Sequence, residues 1–281
     1  MSTALLGLVL LAALCHASWN AVARHHAGHL GVFWLGSLLA WIACTPFAVT
    51  IMWRTGIPAT GTAISCMVAT GIIHALYFLA LSGAYERGEI SVVYPVARGS
   101  GIALTALGGL WLLEEQITTT GWIGIAAVSF GILLFAVPGW STRGRGIRQA
   151  LAVGVTIPVY SLIDKVGTGV VHPVVYIWAM YGLSCIVLFL PVYRRFGPDL
   201  WTIARQRARG IAAIGLGAML TYLIILYAYG LGPVGYVVAA RESSVLFGAL
   251  FGALFLRERL TRWRLIALGA VLIGLVCLRL A

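Results

Sequence analysis

The sequence predicts an all-α integral membrane protein, with ten transmembrane helices set as two inverted five-helix repeats around a central cavity. Three observations predict it. Of 281 residues, 61% are hydrophobic and only 10% are charged, against about 25% charged in ordinary soluble domains. Long uncharged stretches recur from end to end, and a bilayer core about 30 Å thick takes about 20 apolar residues per helix. Ten helices therefore use most of the chain and leave nothing for a soluble domain. Finally, the second half repeats the first.

Apolar windows bounded by charge, Gly and Pro fall near residues 4–23, 30–53, 62–84, 90–113, 121–138, 149–166, 173–193, 211–230, 233–256 and 263–280. The first run, Ala4 to Val22, has no Lys or Arg before it and continues past the small residue Ala17 where a signal peptide would be cut. It reads as a mature helix. Cys15, Cys44, Cys66, Cys185 and Cys277 lie inside apolar stretches without a paired spacing, so neither a disulfide framework nor a zinc site is expected. Five of the seven Trp residues Trp41, Trp53, Trp111, Trp122, Trp140, Trp201 and Trp263 stand close to a span end, where interfacial belts are expected.

The excess of 19 Lys and Arg over 8 Asp and Glu lies in short loops and acts as a topology signal rather than a nucleic-acid footprint. With ten spans, the odd loops hold 14 of these cations and the opposite side, with both termini, holds only Arg54, Lys165 and Arg279. By the positive-inside rule the odd loops are cytoplasmic, and both termini are expected outside. A multi-pass protein of a bacterial inner membrane is expected, as a monomer.

A shift of 143 residues aligns Ala97-Arg98-x-Ser100 with Ala240-Arg241-x-Ser243, and Ala106-Leu107-x-Gly109 with Ala249-Leu250-x-Gly252. It also aligns Leu113-x-Glu115 with Leu256-x-Glu258, and then Thr118, Ile123, Ala127, Val128 and Gly131 with Thr261, Ile266, Ala270, Val271 and Gly274. Shared apolar bias does not align an intramembrane Arg. At a shift of 141, Trp19-Asn20 and Arg24 fall on Tyr160-Ser161 and Lys165. The chain thus divides into halves 1–140 and 141–281. Since five is odd, two copies of a five-helix unit enter the membrane in opposite directions. The loop Glu114-Glu115-Gln116-Ile117-Thr118 has no cation while its counterpart Arg257-Glu258-Arg259-Leu260-Thr261 has two, as opposite sides require. Inverted repeats place a substrate site near midplane at their interface.

An N-terminal helix ending in Trp19-Asn20, two five-helix halves, and the Leu-x-Glu-x-x-Thr loop before each last helix (Leu113 to Thr118, Leu256 to Thr261) resemble the EamA-type drug/metabolite transporters. Size and layout are most similar to the ten-helix bacterial amino-acid exporters of the YddG type. The resemblance implies a secondary transporter exporting small metabolites, neutral and aromatic amino acids first, through a central cavity by alternating access without ATP. It implies no enzyme activity and no cofactor; the partners are a small-molecule substrate and the lipid bilayer.

Arg98 lies eight residues after Ile90, about 12 Å into the membrane, and Arg241 eight after Pro233. An Arg there costs about 2.5–3.5 kcal/mol on insertion scales. Either guanidinium attracts a substrate carboxylate, or both are structural pins bonded to Glu242 and to carbonyls at helix breaks such as Pro95. Tyr94, Arg98, Gly101 and Thr105 share one helical face, matched by Val237, Arg241, Ser244 and Gly248. Glu242 reads as the only carboxylate well inside a span; it either exchanges protons or pairs with Arg98 or Arg241.

His74, with Tyr77 and Phe78 on its face, and His16, preceding Trp19 and Asn20, are candidates for the path or hydrogen-bonded interior residues. Trp19, Tyr77, Tyr94, Tyr160, Trp178, Tyr181 and Tyr222 stand away from span ends, where rings can hold an ammonium group. The substrate-binding candidates are therefore Trp19, His74, Tyr77, Tyr94, Arg98, Trp178, Tyr222, Arg241, Glu242 and Ser244. His25, His26 and His29 read as a solvated loop, since no carboxylate or Cys completes a metal site. Gly101, Thr105, Gly109, Gly248 and Gly252 read as small-residue packing faces.

Two other functions compete. A proton-coupled exporter of hydrophobic cations is weakened by two buried Arg residues against one Glu. An integral-membrane lipid-modifying enzyme using His16, His74 or Glu242 lacks a Gly-x-Ser-x-Gly or His-Glu-x-x-His motif. An ATP-driven pump lacks a Walker A motif.

Overall fold

The computed structural model describes residues 1–23, 29–87, 90–137, 147–255 and 261–281, which form helices and short connections with no strand among them. In chain order these are α1 (Thr3–Ala23), α2 (Leu30–Thr55), α3 (Gly61–Arg87), α4 (Ile90–Leu112), α5 (Thr119–Leu134), α6 (Ile147–Val170) and α7 (Pro173–Phe196). A 3-10 turn (Gly197–Asp199) and the short α8 (Leu200–Gln206) lead to α9 (Ala208–Tyr229), α10 (Val234–Arg241), α11 (Ser244–Phe255) and α12 (Arg262–Leu280). Among the described residues eight segments are long and apolar enough to cross a membrane, one of them Val234–Gly252 across the α10–α11 break. Phe47, Ile186 and Ile273 are 66%, 70% and 61% exposed. In a bilayer such side chains face lipid, where backbone groups bonded inside helices need no water.

Several elements depart from the expected spans. The fifth starts early because Thr118 caps α5, accepting from Gly121 N–H at 3.0 Å. It stops at Leu134, three residues before the residue preceding Pro138, a position biased away from helix. The sixth, expected to end at 166, continues to Val170, which brings Asp164 well inside α6. The loop expected after the seventh holds the 3-10 turn and α8, carrying Arg205 at its end. The ninth, expected to be continuous over 233–256, is broken at Glu242-Ser243.

At that break, Glu242 N–H donates to Ala239 O and Ser243 N–H to Ala240 O, both at 3.1 Å, and Val245 N–H to Glu242 O at 3.0 Å. These tight i to i−3 bonds satisfy the backbone while redirecting the axis inside the protein.

The most extensive helix contacts are α5–α12, α4–α6, α3–α6, α2–α7 and α1–α9, with α1 also meeting α10 and α11. Exchanging α1 with α6, α2 with α7, α3 with α9, α4 with α10–α11 and α5 with α12 returns the same set. α5 and α12 approach most closely through Gly124 and Gly274: a Cβ on Gly274 would stand 2.8 Å from Gly124 O. Gly101 packs on Ile157, whereas Gly248 faces open space. The chain ends meet: Arg279 donates to Met1 O at 2.9 Å and to Thr3 Oγ1 at 3.1 Å, which puts both termini at one end of the bundle.

Candidate functional site

α10 ends on Arg241, and the break that follows carries Glu242. Both are buried, as is Arg98 on α4. Arg98 Nε donates to Glu242 Oε2 at 3.1 Å and its Nη2 donates to Oε1, a bidentate pair that fixes both planes. Arg241 Nε lies 3.9 Å from the same carboxylate. Two guanidiniums thus share one carboxylate, and this cluster keeps a positive charge.

Arg98 uses its fork on Glu242, but Arg241 Nε and Nη2 are buried without a hydrogen-bond partner among the described residues. Ser243 Oγ is buried and unpartnered among the described residues as well, and Tyr229, whose hydroxyl faces that of Ser161, lies within electrostatic reach of Arg241. Buried polar groups are normally paired, and leaving one unpaired costs about 1–3 kcal/mol. Such a group of orphaned donors fits a ligand anion.

A second cluster gathers around Asp164, fully buried on α6. Tyr176 on α7 donates to its Oδ1 at 2.8 Å and Tyr222 on α9 donates to its Oδ2. On α3, His74 is 4.5 Å ring to ring from Tyr160, 5.3 Å from Tyr222 and 6.5 Å from Tyr77. Tyr160 links the clusters, since it also acts electrostatically on Arg241.

The structure thus brings Arg98, Arg241, Glu242, His74, Tyr77 and Tyr222 into two neighbouring clusters. Trp19 packs on Gly217 of α9 and edge-on to His16 at 5.1 Å, and His16 lies within electrostatic reach of Arg98 and Arg241. Ser244 is buried at the first position of α11. Trp178 stands elsewhere, on the α2–α7 contact, donating to Thr45 Oγ1 at 3.0 Å and stacked on Trp41. Tyr94 is on α4, and its side chain lies outside the described residues, as do His25 and His26. His29 caps α2, accepting from Val32 N–H, and stacks on Phe196 at 4.9 Å.

Asp164 corrects the reading of Glu242 as the only carboxylate well inside a span. Its signal was present: the apolar run through Gly167-Thr168-Gly169-Val170 has no break before His172-Pro173. Lys165, counted as a loop charge, belongs to α6, and its ammonium donates to Gly232 O at 2.9 Å and to Tyr229 O. It lies 3.7 Å from Glu115, whose carboxylate accepts the Val234 N–H at 2.8 Å. The Tyr236 hydroxyl accepts from Thr118 N–H at 3.1 Å. These contacts tie the α4–α5 loop to the α9–α10 turn beside an open cleft of about 580 Å³ lined by Leu113, Glu115, Lys165, Val166, Gly169, Gly232 and Pro233. Burial pushes the Glu115 carboxyl above the usual carboxylate range, against the Val234 N–H and Lys165, which pull it down.

An all-helical bundle with apolar helices of membrane-crossing length, burying Arg98, Asp164, Arg241 and Glu242 inside it, defines a multi-pass membrane protein. Residues 144–280 match the EamA-like transporter family. A curated relative, "Uncharacterized protein y4nH" of Sinorhizobium fredii (strain NBRC 101917 / NGR234), is 27% identical over 94 residues, 31% of this chain and 80% of that protein. A protein of known crystal structure is similar in fold over 100% of this chain and 98% of its own, with a TM-score of 0.71 at 17% identity.

Proposed function

We propose that this membrane transporter is a secondary exporter of neutral and aromatic amino acids, working by alternating access between two inverted five-helix halves. The observation that carries the reading is Arg241: a buried guanidinium with two nitrogens that have no hydrogen-bond partner among the described residues. An α-carboxylate supplies the acceptors these donors lack. The rings of Tyr160, Tyr222 and Tyr77 offer apolar and cation-attracting surface for the rest of the molecule. The exchange of helix contacts between halves and the break in the α10–α11 segment support the repeat reading, since discontinuous helices commonly form such sites.

The rival reading, a proton-coupled exporter of hydrophobic cations, draws on Asp164 among tyrosines. Arg241 opposes it by repelling a lone cation. For a zwitterion both clusters act in its favour.

The test is counterflow of radiolabelled leucine and phenylalanine into liposomes holding the purified protein. Arg241→Ala is expected to lower apparent cargo affinity about 10- to 100-fold, the range for hydrogen bonds to charged groups. Unchanged affinity in folded Arg241→Ala overturns the assignment.

A further inference from the structure

His74 and Asp164 do not fit the role of inert interior residues. The Nδ1 of His74 stands 3.0 Å from Thr70 O and 3.1 Å from Thr70 Oγ1. A carbonyl only accepts, so Nδ1 carries the hydrogen and the lone pair of the neutral ring sits on Nε2. Among the described residues no hydrogen bond reaches Nε2. Around this ring stand Tyr160 from α6, Tyr222 from α9 and Tyr77 from its own helix, all within 6.5 Å between centroids. Three aromatic rings and a buried carboxylate are the surroundings of a cation.

Asp164 takes its two hydrogen bonds from Tyr176 and Tyr222, and the Thr70 hydroxyl also reaches it. These donors are neutral, so none of them balances a charge on the Asp164 carboxylate. No ion pair joins Asp164 to a Lys or Arg among the described residues, in contrast to Glu242, which Arg98 holds in a bidentate grip. The opposite charge nearest in kind is an imidazolium at His74.

We propose that His74 and Asp164 form a proton-exchange site. Nε2 of His74 takes a proton from water on one side, forming one N–H bond and an imidazolium that Asp164 balances. A cargo ammonium entering the same cage replaces that charge, and the proton leaves Nε2 for water, so cargo and proton move in opposite directions. This exchange rests on the amino-acid reading above, whereas proton uptake by His74 does not. The imidazolium would tie α3 to α6, the contact that the exchange of halves turns into α1–α9. Groups facing the site are Cys66 and Thr70 from α3, Tyr160 and Asp164 from α6, Tyr176 from α7, Tyr222 and Tyr229 from α9, and Arg241 from α10. Of these, Arg241 alone is cationic and opposes the proton, and Asp164 favours it.

The experiment uses full-length protein with nitrogen-15 in its histidines, the His74 signal being the one lost in His74→Gln. The expected result is a change of its ring-nitrogen shifts from neutral to imidazolium as the pH falls from about 8 to about 4, a range that extends below the ordinary histidine window because burial disfavours the charged ring. Saturating leucine is expected to move the midpoint to lower pH by about one unit, a tenfold weaker hold on the proton. Asp164→Asn should also lower it. A ring that stays neutral across the range overturns the site itself. A midpoint that leucine raises or leaves in place overturns the exchange. Leucine counterflow, measured in parallel, tells a failed exchange from a failed cargo reading: its absence with a titrating His74 removes the amino acid and leaves the proton site standing.

Discussion

Arg98 on α4 holds Glu242 through both carboxylate oxygens, across a break that separates α10 from α11. The pair joins the two segments that the 143-residue repeat relates, and each segment supplies one Arg. Because Arg98 is committed to Glu242, Arg241 is the guanidinium whose Nε and Nη2 have no hydrogen-bond partner among the described residues. Removing one partner of a buried pair leaves an uncompensated charge and costs about 3–5 kcal/mol. Glu242→Leu is therefore expected to unfold in detergent at markedly lower temperature, and Arg98→Met with Glu242→Leu to recover much of the loss. Equal unfolding temperatures for the single and double variants would count against the pair.

Glu115 has the opposite sign from an ordinary ion pair. Burial raises its carboxyl in the tied state, so the tied state binds a proton more firmly than the released one. Its contribution is present below the released value, about 4.3, and is lost as pH rises through the raised value. Glu115→Gln keeps an acceptor for the Val234 N–H without a buried charge. We expect it to match or exceed the wild type in thermal stability at pH 7, with the advantage shrinking toward pH 4.5. A clear loss at pH 7 would show that the Lys165 contact outweighs burial.

The α5–α12 seam depends on glycine. In Gly274→Ala the added Cβ would stand 2.8 Å from Gly124 O, and such overpacking costs about 1–3 kcal/mol. Gly248→Ala meets open space and gains helix propensity worth up to about 1 kcal/mol. Opposite shifts in unfolding temperature are expected, and like shifts would contradict the packing.

Much of this architecture was legible in the sequence because its signals are long. Apolar runs set the helices, and a repeat of Ala-Arg-x-Ser brought Arg98 and Arg241 forward as a pair. What escaped depended on single boundaries or on partners distant in sequence. Asp164 was hidden by ending α6 at 166, since Lys165 beside it reads as a loop charge until its bonds to the Tyr229 and Gly232 carbonyls are seen. The break at Glu242-Ser243 was hidden because no Pro or Gly marks it. Trp178 and Tyr222 look alike by depth in a span, and only packing sends one to the α2–α7 contact and the other to Asp164.

Arg279 holds Met1 and Thr3, and from the charge count we expect that end outside. A cysteine replacing Ala281, in a variant without reactive native cysteines, is expected to react with an impermeant maleimide in intact cells. Protection until the cells are opened would reverse the orientation.

In the proposed function the buried Arg241 cluster binds the carboxylate of an amino acid that crosses the membrane. The most direct test is saturable counterflow of leucine and phenylalanine in wild-type liposomes, compared with Arg241→Ala liposomes and empty vesicles. Flux is expected in the wild type and is expected to fall at least tenfold at low cargo concentration in the variant. Wild-type protein that is folded and moves no amino acid, or an Arg241→Ala variant that moves them equally well, would contradict it.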